Sequence, residues 1–225
     1  MSRVARIVVP GVPHHITQRG NNRQPVFSTD RDRLDYLSIL SGQSRKHSLD
    51  VLAYCLMDNH VHLVAVPGRP DSLARAVGMT HLVYARSFNE RNDRSGHLWQ
   101  GRFFSCPLDP ARTLLAIRYV EHNPVRAGIV GSAGRYSWSS AGAHLDGHDA
   151  HAVLALNQWL ELTEGIRWSE FLSENGDARG LAEMRSSTLI GRPWGSPGFT
   201  DKVERALGRR VRPRSVGRPR SAGRK

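Results

Sequence analysis

The chain of 225 residues and 25.1 kDa is long enough for one hydrophobic core with a smaller appendage, and its two cysteines are too few for a disulfide framework and lack metal-site spacing. Apolar runs such as residues 51–57 and 61–66 are far too short to cross a bilayer, and no charged-then-apolar leader opens the chain, so a soluble cytoplasmic protein with no membrane partner is expected. The formal charge is +12, of which residues 209–225, with seven Arg, one Lys and no acid, carry +8; such a tail points to a polyanion, most often nucleic acid.

Residues 13–19 (PHHITQR) alternate weakly, as a strand does, and the turn-rich residues 20–25 follow. Thr29 or Asp30 can cap a helix over residues 31–46, with Leu34, Leu37, Ile39 and Leu40 on its apolar side. Residues 49–57 and 60–66 read as two strands, and Asp58-Asn59 between them suits a tight hairpin turn. Ser72 is the cap expected for the next helix, where Leu73, Ala76, Val77, Thr80, Tyr84 and Phe88 recur at three- and four-residue steps. Arg94-Ser95-Gly96 breaks it, and residues 98–107 are expected to hold a last strand. Asp109-Pro110 is a good helix start, an acceptor followed by a proline in the first turn, for a helix running to about His122. The order β, α, β, β, α, β, α predicts an α+β fold of the ferredoxin-like split βαβ type, an antiparallel sheet with helices on one side and one added helix. Residues 1–146 would form this domain and residues 147–208 a mostly helical C-terminal region, with helices within 157–172 and 199–207 and a loop at 191–196. A disordered tail is expected over residues 209–225.

The triplet His60-Val61-His62 is the most informative. On a strand the two imidazoles project from one face about 7 Å apart, while Val61, Leu63 and Ala65 project from the other into a core. Two rings so placed can share a divalent metal, although a polar strand face with hydrogen-bonded histidines gives the same pattern. Farther on, Tyr119 and Asn123 are four residues apart and share a helix face, and Pro124 places Asn123 at the helix end. A tyrosine there suits either a nucleophile or a core ring with its hydroxyl at the edge.

Four strings occur in order: AYCLMDNHVHLVAV (53–66), LWQGRF (98–103), RYVEHNPVRAG (118–128) and YSWSS (136–140), preceded by PGVPHHITQRGNNRQPVF (10–27). Together they resemble the IS200-like transposase family, and more narrowly the REP-associated tyrosine transposases, over residues 3–142. The resemblance implies a HUH-type single-tyrosine DNA nuclease and strand transferase of bacterial, nucleoid-associated type. It also implies that Tyr119 is the nucleophile, that His60 and His62 are paired metal ligands, and that Asn123 is the third ligand, with His122 as the alternative. It singles out Tyr119 from Tyr36, Tyr54, Tyr84 and Tyr136. Imidazole and amide ligands completed by a phosphate oxygen suit Mg²⁺ or Mn²⁺ better than Zn²⁺.

The partner implied is single-stranded or hairpin DNA, bound by a monomer or homodimer. Arg19 and Arg23 beside the GNN loop, and Arg102 beside Trp99 and Phe103, are candidate contacts. In the tail, Val216-Gly217-Arg218-Pro219-Arg220 resembles an AT-hook, which would lay Arg218 and Arg220 into an A·T-rich minor groove. If the tail neutralises about six phosphates, log K falls with log salt at a slope of about −5. Two other readings compete: a domesticated sequence-specific DNA-binding protein without turnover, and a metal hydrolase using water, in which Tyr119 is structural.

Overall fold

Local chemistry places the elements close to where the sequence puts them. The computed structural model describes residues 5–174 and 178–212. Strand β1 (His14–Arg19) leads through the loop to helix α1 (Asp30–Lys46), which Thr29 caps: its hydroxyl accepts from Asp32 N and the Asp32 carboxylate accepts from Thr29 N. Strands β2 (Leu49–Met57) and β3 (His60–Pro67) form the expected hairpin across Asp58-Asn59. Helix α2 (Ser72–Arg91) starts at Ser72 itself, so Ser72 is the first helical residue and its hydroxyl accepts from Arg69 N. Strand β4 (Phe104–Pro107) is shorter than the span expected at 98–107. Trp99 still bridges Gly20, and Gln100 N donates to Arg19 O, but residues 100–102 bend away from β1 before pairing resumes at Phe104. Helix α3 (Pro110–Glu121) is capped by Asp109, whose carboxylate accepts from Arg112 N.

The sheet order is β2-β3-β1-β4, every neighbouring pair antiparallel, which is the split βαβ arrangement. A register shift between Val51 and Ala53 places Leu52 and Ala53 on the same face. This bulge inverts the alternation of β2: Leu49 and Val51, then Tyr54 and Leu56, face α1 and α2, whereas Cys55 and Met57 share the face of His62 and His60. Helices α1 and α2 cover the first face. The second is covered by α3 and, after the short α4 (Asn123–Arg126), by elements of the C-terminal region.

That region contains α5 (Ala141–Asp146), α6 (Leu156–Leu162), α7 (Trp168–Ser173), α8 (Ala178–Ile190) and α9 (Pro197–Leu207). Trp159, Trp168, Leu172, Met184 and Trp194 pack in one cluster with Cys55, Ile117 and Val120, so the second face of the sheet and the C-terminal helices share a core. Residues 136–140 (YSWSS) line the open edge of β2: Ser140 N donates to Tyr54 O, Leu56 N to Trp138 O, and Tyr136 Oη to Leu56 O. The basic segment expected to be disordered from residue 209 is held as far as Arg212. Arg209 donates to the carbonyls of Ala5 and Arg6, Val211 is buried, and Arg212 pairs with Asp201 and Glu204. Arg218 and Arg220 lie outside the described residues. Among the described residues no helix is long and apolar enough to cross a membrane.

Glu121 ties α3 to this second layer. It is fully buried; Ser140 Oγ donates to Oε1 at 2.6 Å and Trp168 Nε1 to Oε2 at 3.0 Å. His144 Nδ1 lies 2.5 Å from Oε1, outside hydrogen-bonding angles. Removing the carboxylate strands two buried donors, so Glu121→Ala is expected to lower unfolding free energy by about 3 kcal/mol. Urea unfolding checks this; a loss under 1 kcal/mol would contradict the anchoring role.

Candidate active site

His60 and His62 project from β3 on the face opposite the buried Val61, Leu63 and Ala65, with ring centroids 5.1 Å apart. Asn59 fixes the first ring. Its amide nitrogen donates to Arg23 O at 3.2 Å, so its oxygen faces His60 and accepts from Nδ1 at 2.6 Å. That leaves Nε2 of His60 as the lone-pair nitrogen. Burial pushes His60 down to about 4, helped by Arg19 and opposed by Asp58. Burial also pushes His62 well below its ordinary value, with His15, His60 and Arg126 adding to the effect. Both rings are therefore neutral at pH 7, the state a metal requires.

Helix α3 brings Tyr119 to the same place. Its ring stands edge-on to His62, centroids 5.5 Å apart and planes at 87°. Arg185 of α8 donates from Nε to Tyr119 Oη at 3.1 Å, and the Arg126 guanidinium lies 4.0 Å above the ring centroid. The other tyrosines are committed elsewhere. Burial raises Tyr36, Tyr54 and Tyr84 far above the ordinary phenol range and Tyr136 to about 12. Asn123 sits beyond the end of α3, where its Nδ2 donates to Val120 O at 3.2 Å and its Oδ1 accepts from Arg126 Nη2 at 2.7 Å. His122 is half-buried at the junction of α3 and α4.

Among the described residues no three His, Cys, Asp or Glu side chains gather as a ready metal site. The two neutral imidazoles of His60 and His62 are donors of a kind that fits a divalent cation, while the amide oxygen of Asn123, one turn from Tyr119, is turned to Arg126.

Four residues here escaped the sequence reading. His15 of β1 has Nε2 3.0 Å from Nδ1 of His62, and the two rings stack with centroids 5.2 Å apart. Thr188 of α8 meets the other nitrogen of His15 at 2.8 Å. Arg126 and Arg185 flank the tyrosine ring. The signal for His15 was present in PHHIT: Ile16 faces the core, so His15 must face the other way. For Thr188 and Arg185 there was none, because the span of α8 offered no legible periodicity.

Arg19 is exposed and pairs in register with His60. Arg23 is exposed in the loop that holds Asn59. Arg102 is exposed and lines a groove of about 890 Å³ together with Arg6, Arg86 and His97. Trp99 and Phe103, its neighbours, are buried against α2.

The sequence profile of the family described as "Transposase IS200 like" matches residues 9–123. No curated protein matches. The structure of a REP-associated tyrosine transposase bound to a REP hairpin superposes with TM-score 0.52 at 18% identity, covering 68% of this chain and 90% of that one, and so shares the fold. A transposase structure from Deinococcus radiodurans R1 aligns with TM-score 0.36 at 19% identity, covering 57% of this chain and 92% of that one.

The buried imidazoles have a pH consequence. Burial holds His14 and His60 at about 4 and His15 and His81 at about 3, below the unfolded value near 6.5, so the unfolded chain binds more protons in between. Stability is expected to be full above about pH 6.5 and to fall as pH drops toward 4, by about 1.4 kcal/mol per pH unit for each proton taken up. Urea unfolding at pH 7.5, 6 and 5 measures it; a flat profile would contradict neutral buried rings.

Proposed function

Since this chain belongs to the IS200-like transposase family, we propose that it cleaves and rejoins single-stranded, hairpin-forming DNA through a 5′-phosphotyrosine at Tyr119. The observation that carries this reading is the Tyr119 ring, edge-on to His62 with Arg185 on its hydroxyl. The fold shared with a protein solved on a REP hairpin supports a hairpin substrate and the narrower REP-associated class.

His60 and His62 would hold a divalent cation, Mg²⁺ or Mn²⁺. Asn123 would add its amide oxygen, which has a second lone pair besides the one given to Arg126. Such a cation, when bound, polarises the scissile phosphate and neutralises charge on the departing 3′ oxygen. Arg185 donates to Oη, which turns the hydroxyl's own proton away from that contact and orients the oxygen. Oη then bonds to phosphorus as the bond to the 3′ oxygen breaks; the phenolic proton passes to solvent, and the 3′ oxygen takes up a proton. The phosphodiester is conserved as a tyrosyl ester, so a 3′ hydroxyl can reverse the step and join strands without a nucleotide cofactor. Arg19, Arg23 and Arg102 would track the DNA backbone near the site.

Incubation with labelled hairpin DNA and Mn²⁺, followed by a denaturing gel, tests this. A covalent adduct is expected that disappears in Tyr119→Phe, and His60→Ala is expected to abolish cleavage while keeping DNA binding. Cleavage persisting in Tyr119→Phe would favour water as nucleophile, and tight binding without any cleavage would favour a DNA-binding protein without turnover.

We also assign Arg218 and Arg220 of the AT-hook-like tail to DNA affinity rather than chemistry. Deleting residues 213–225 removes four Arg and one Lys, so the slope of log K against log salt is expected to become shallower by about 3 to 4. Cleavage at saturating DNA should be unchanged. An unaltered slope would discard the assignment.

A further inference from the structure

Helix α8 reaches the site with Thr188, and the hydrogen bonds there have a direction. The Thr188 hydroxyl has one proton, and it donates to Met184 O at 2.8 Å, four residues back on the same helix. The oxygen of Thr188 is thereby an acceptor toward its other neighbours. Cys106 Sγ at 3.2 Å must donate to it, and so must Nδ1 of His15 at 2.8 Å. A neutral imidazole with its proton on Nδ1 carries a lone pair on Nε2. That nitrogen faces Nδ1 of His62 at 3.0 Å, so the His62 ring must place its proton on Nδ1. The remaining nitrogen of His62, Nε2, is then the lone pair. On the other side Asn59 orders His60 in the same sense.

We infer that Met184 O, Thr188 and His15 form a hydrogen-bond relay that fixes the tautomer of His62 and so presents its Nε2 as a ligand, making His15 and Thr188 positioning residues of the site. Reversing the relay would require Thr188 to give its proton to His15 and abandon Met184 O. With the order reversed, His62 would carry a hydrogen on Nε2, where a cation has to bind. The relay gives the C-terminal region a part in the site beyond covering the sheet. The metal-ligand part of this inference rests on the reading of His60 and His62 proposed above; the tautomer part does not.

Two readouts on the intact protein separate them. The first is the ¹⁵N spectrum of histidine-labelled, metal-free protein at pH 7.5, which reports which nitrogen of His62 is protonated. The second is Mn²⁺ affinity by calorimetry or electron paramagnetic resonance. Wild type and Thr188→Ser should both show His62 protonated on Nδ1 and bind Mn²⁺ alike. Thr188→Val, isosteric but unable to accept, should show a population with the proton on Nε2 and an affinity 10- to 100-fold weaker, the range typical for lost outer-shell partners. Should Thr188→Val fold poorly, His15→Gln against His15→Leu asks the same question. Gln can accept from His62 and donate to Thr188, so it should keep most of the affinity, whereas Leu should lose it. An unchanged tautomer and affinity in Thr188→Val or His15→Leu would overturn the relay. Wild-type protein that binds no Mn²⁺ would sink the metal reading, while the nitrogen spectrum would still decide the relay.

Discussion

The antiparallel pairing of β1 with β3 sets which side chains meet at the site. Thr17 lies opposite His62 and Arg19 opposite His60, so odd-numbered residues of β1 share a face with even-numbered residues of β3. His15 then falls diagonal to His62, within reach of its ring. A slip of one residue would turn His15 into the core and bring Ile16 to the imidazoles, because the side-chain period of a strand is two. The register is protected by what each face buries: Ile16, Leu63 and Ala65 go to the core under α1 and α2, and His15, His60 and His62 go to the opposite face.

The second face is an unusual environment, apolar by area and polar at one end. Cys55, Cys106, Ile117 and Val120 line it beside the histidines. Desolvation there keeps the imidazoles neutral, and each of the three rings at the site has a specific partner: Asn59 for His60, His15 for His62, Thr188 for His15. The same burial that keeps these rings neutral sets their proton uptake below that of the unfolded chain, so one physical cause acts on the site and on stability.

The C-terminal helices complete this face. α8 lies against β4 and β1 and brings Thr188 and Arg185 in from one side, while Trp159 and Trp168 close over α3 from another. Glu121, two residues after the tyrosine, is spent on Ser140 and Trp168 and holds α3 in place. The segment over residues 136–140 covers the open edge of β2, which would otherwise offer unpaired backbone groups to another chain.

Much of this was legible from the residues in order. Strands β1 to β3, helices α1 to α3, the Asp58-Asn59 turn and the orientation of His60 and His62 follow from alternation, three- and four-residue periodicity and capping chemistry. These are short-range signals, carried by residues adjacent in sequence. The family resemblance drew Tyr119 from its rivals. What only the tertiary structure decided was long-range: the bulge in β2, the early break that leaves β4 short, the stacking of His15 on His62, and α8. Thr188 is 173 residues from the histidine it meets. No local pattern encodes a contact of that separation, because it arises only when α8 packs against the sheet that contains β1.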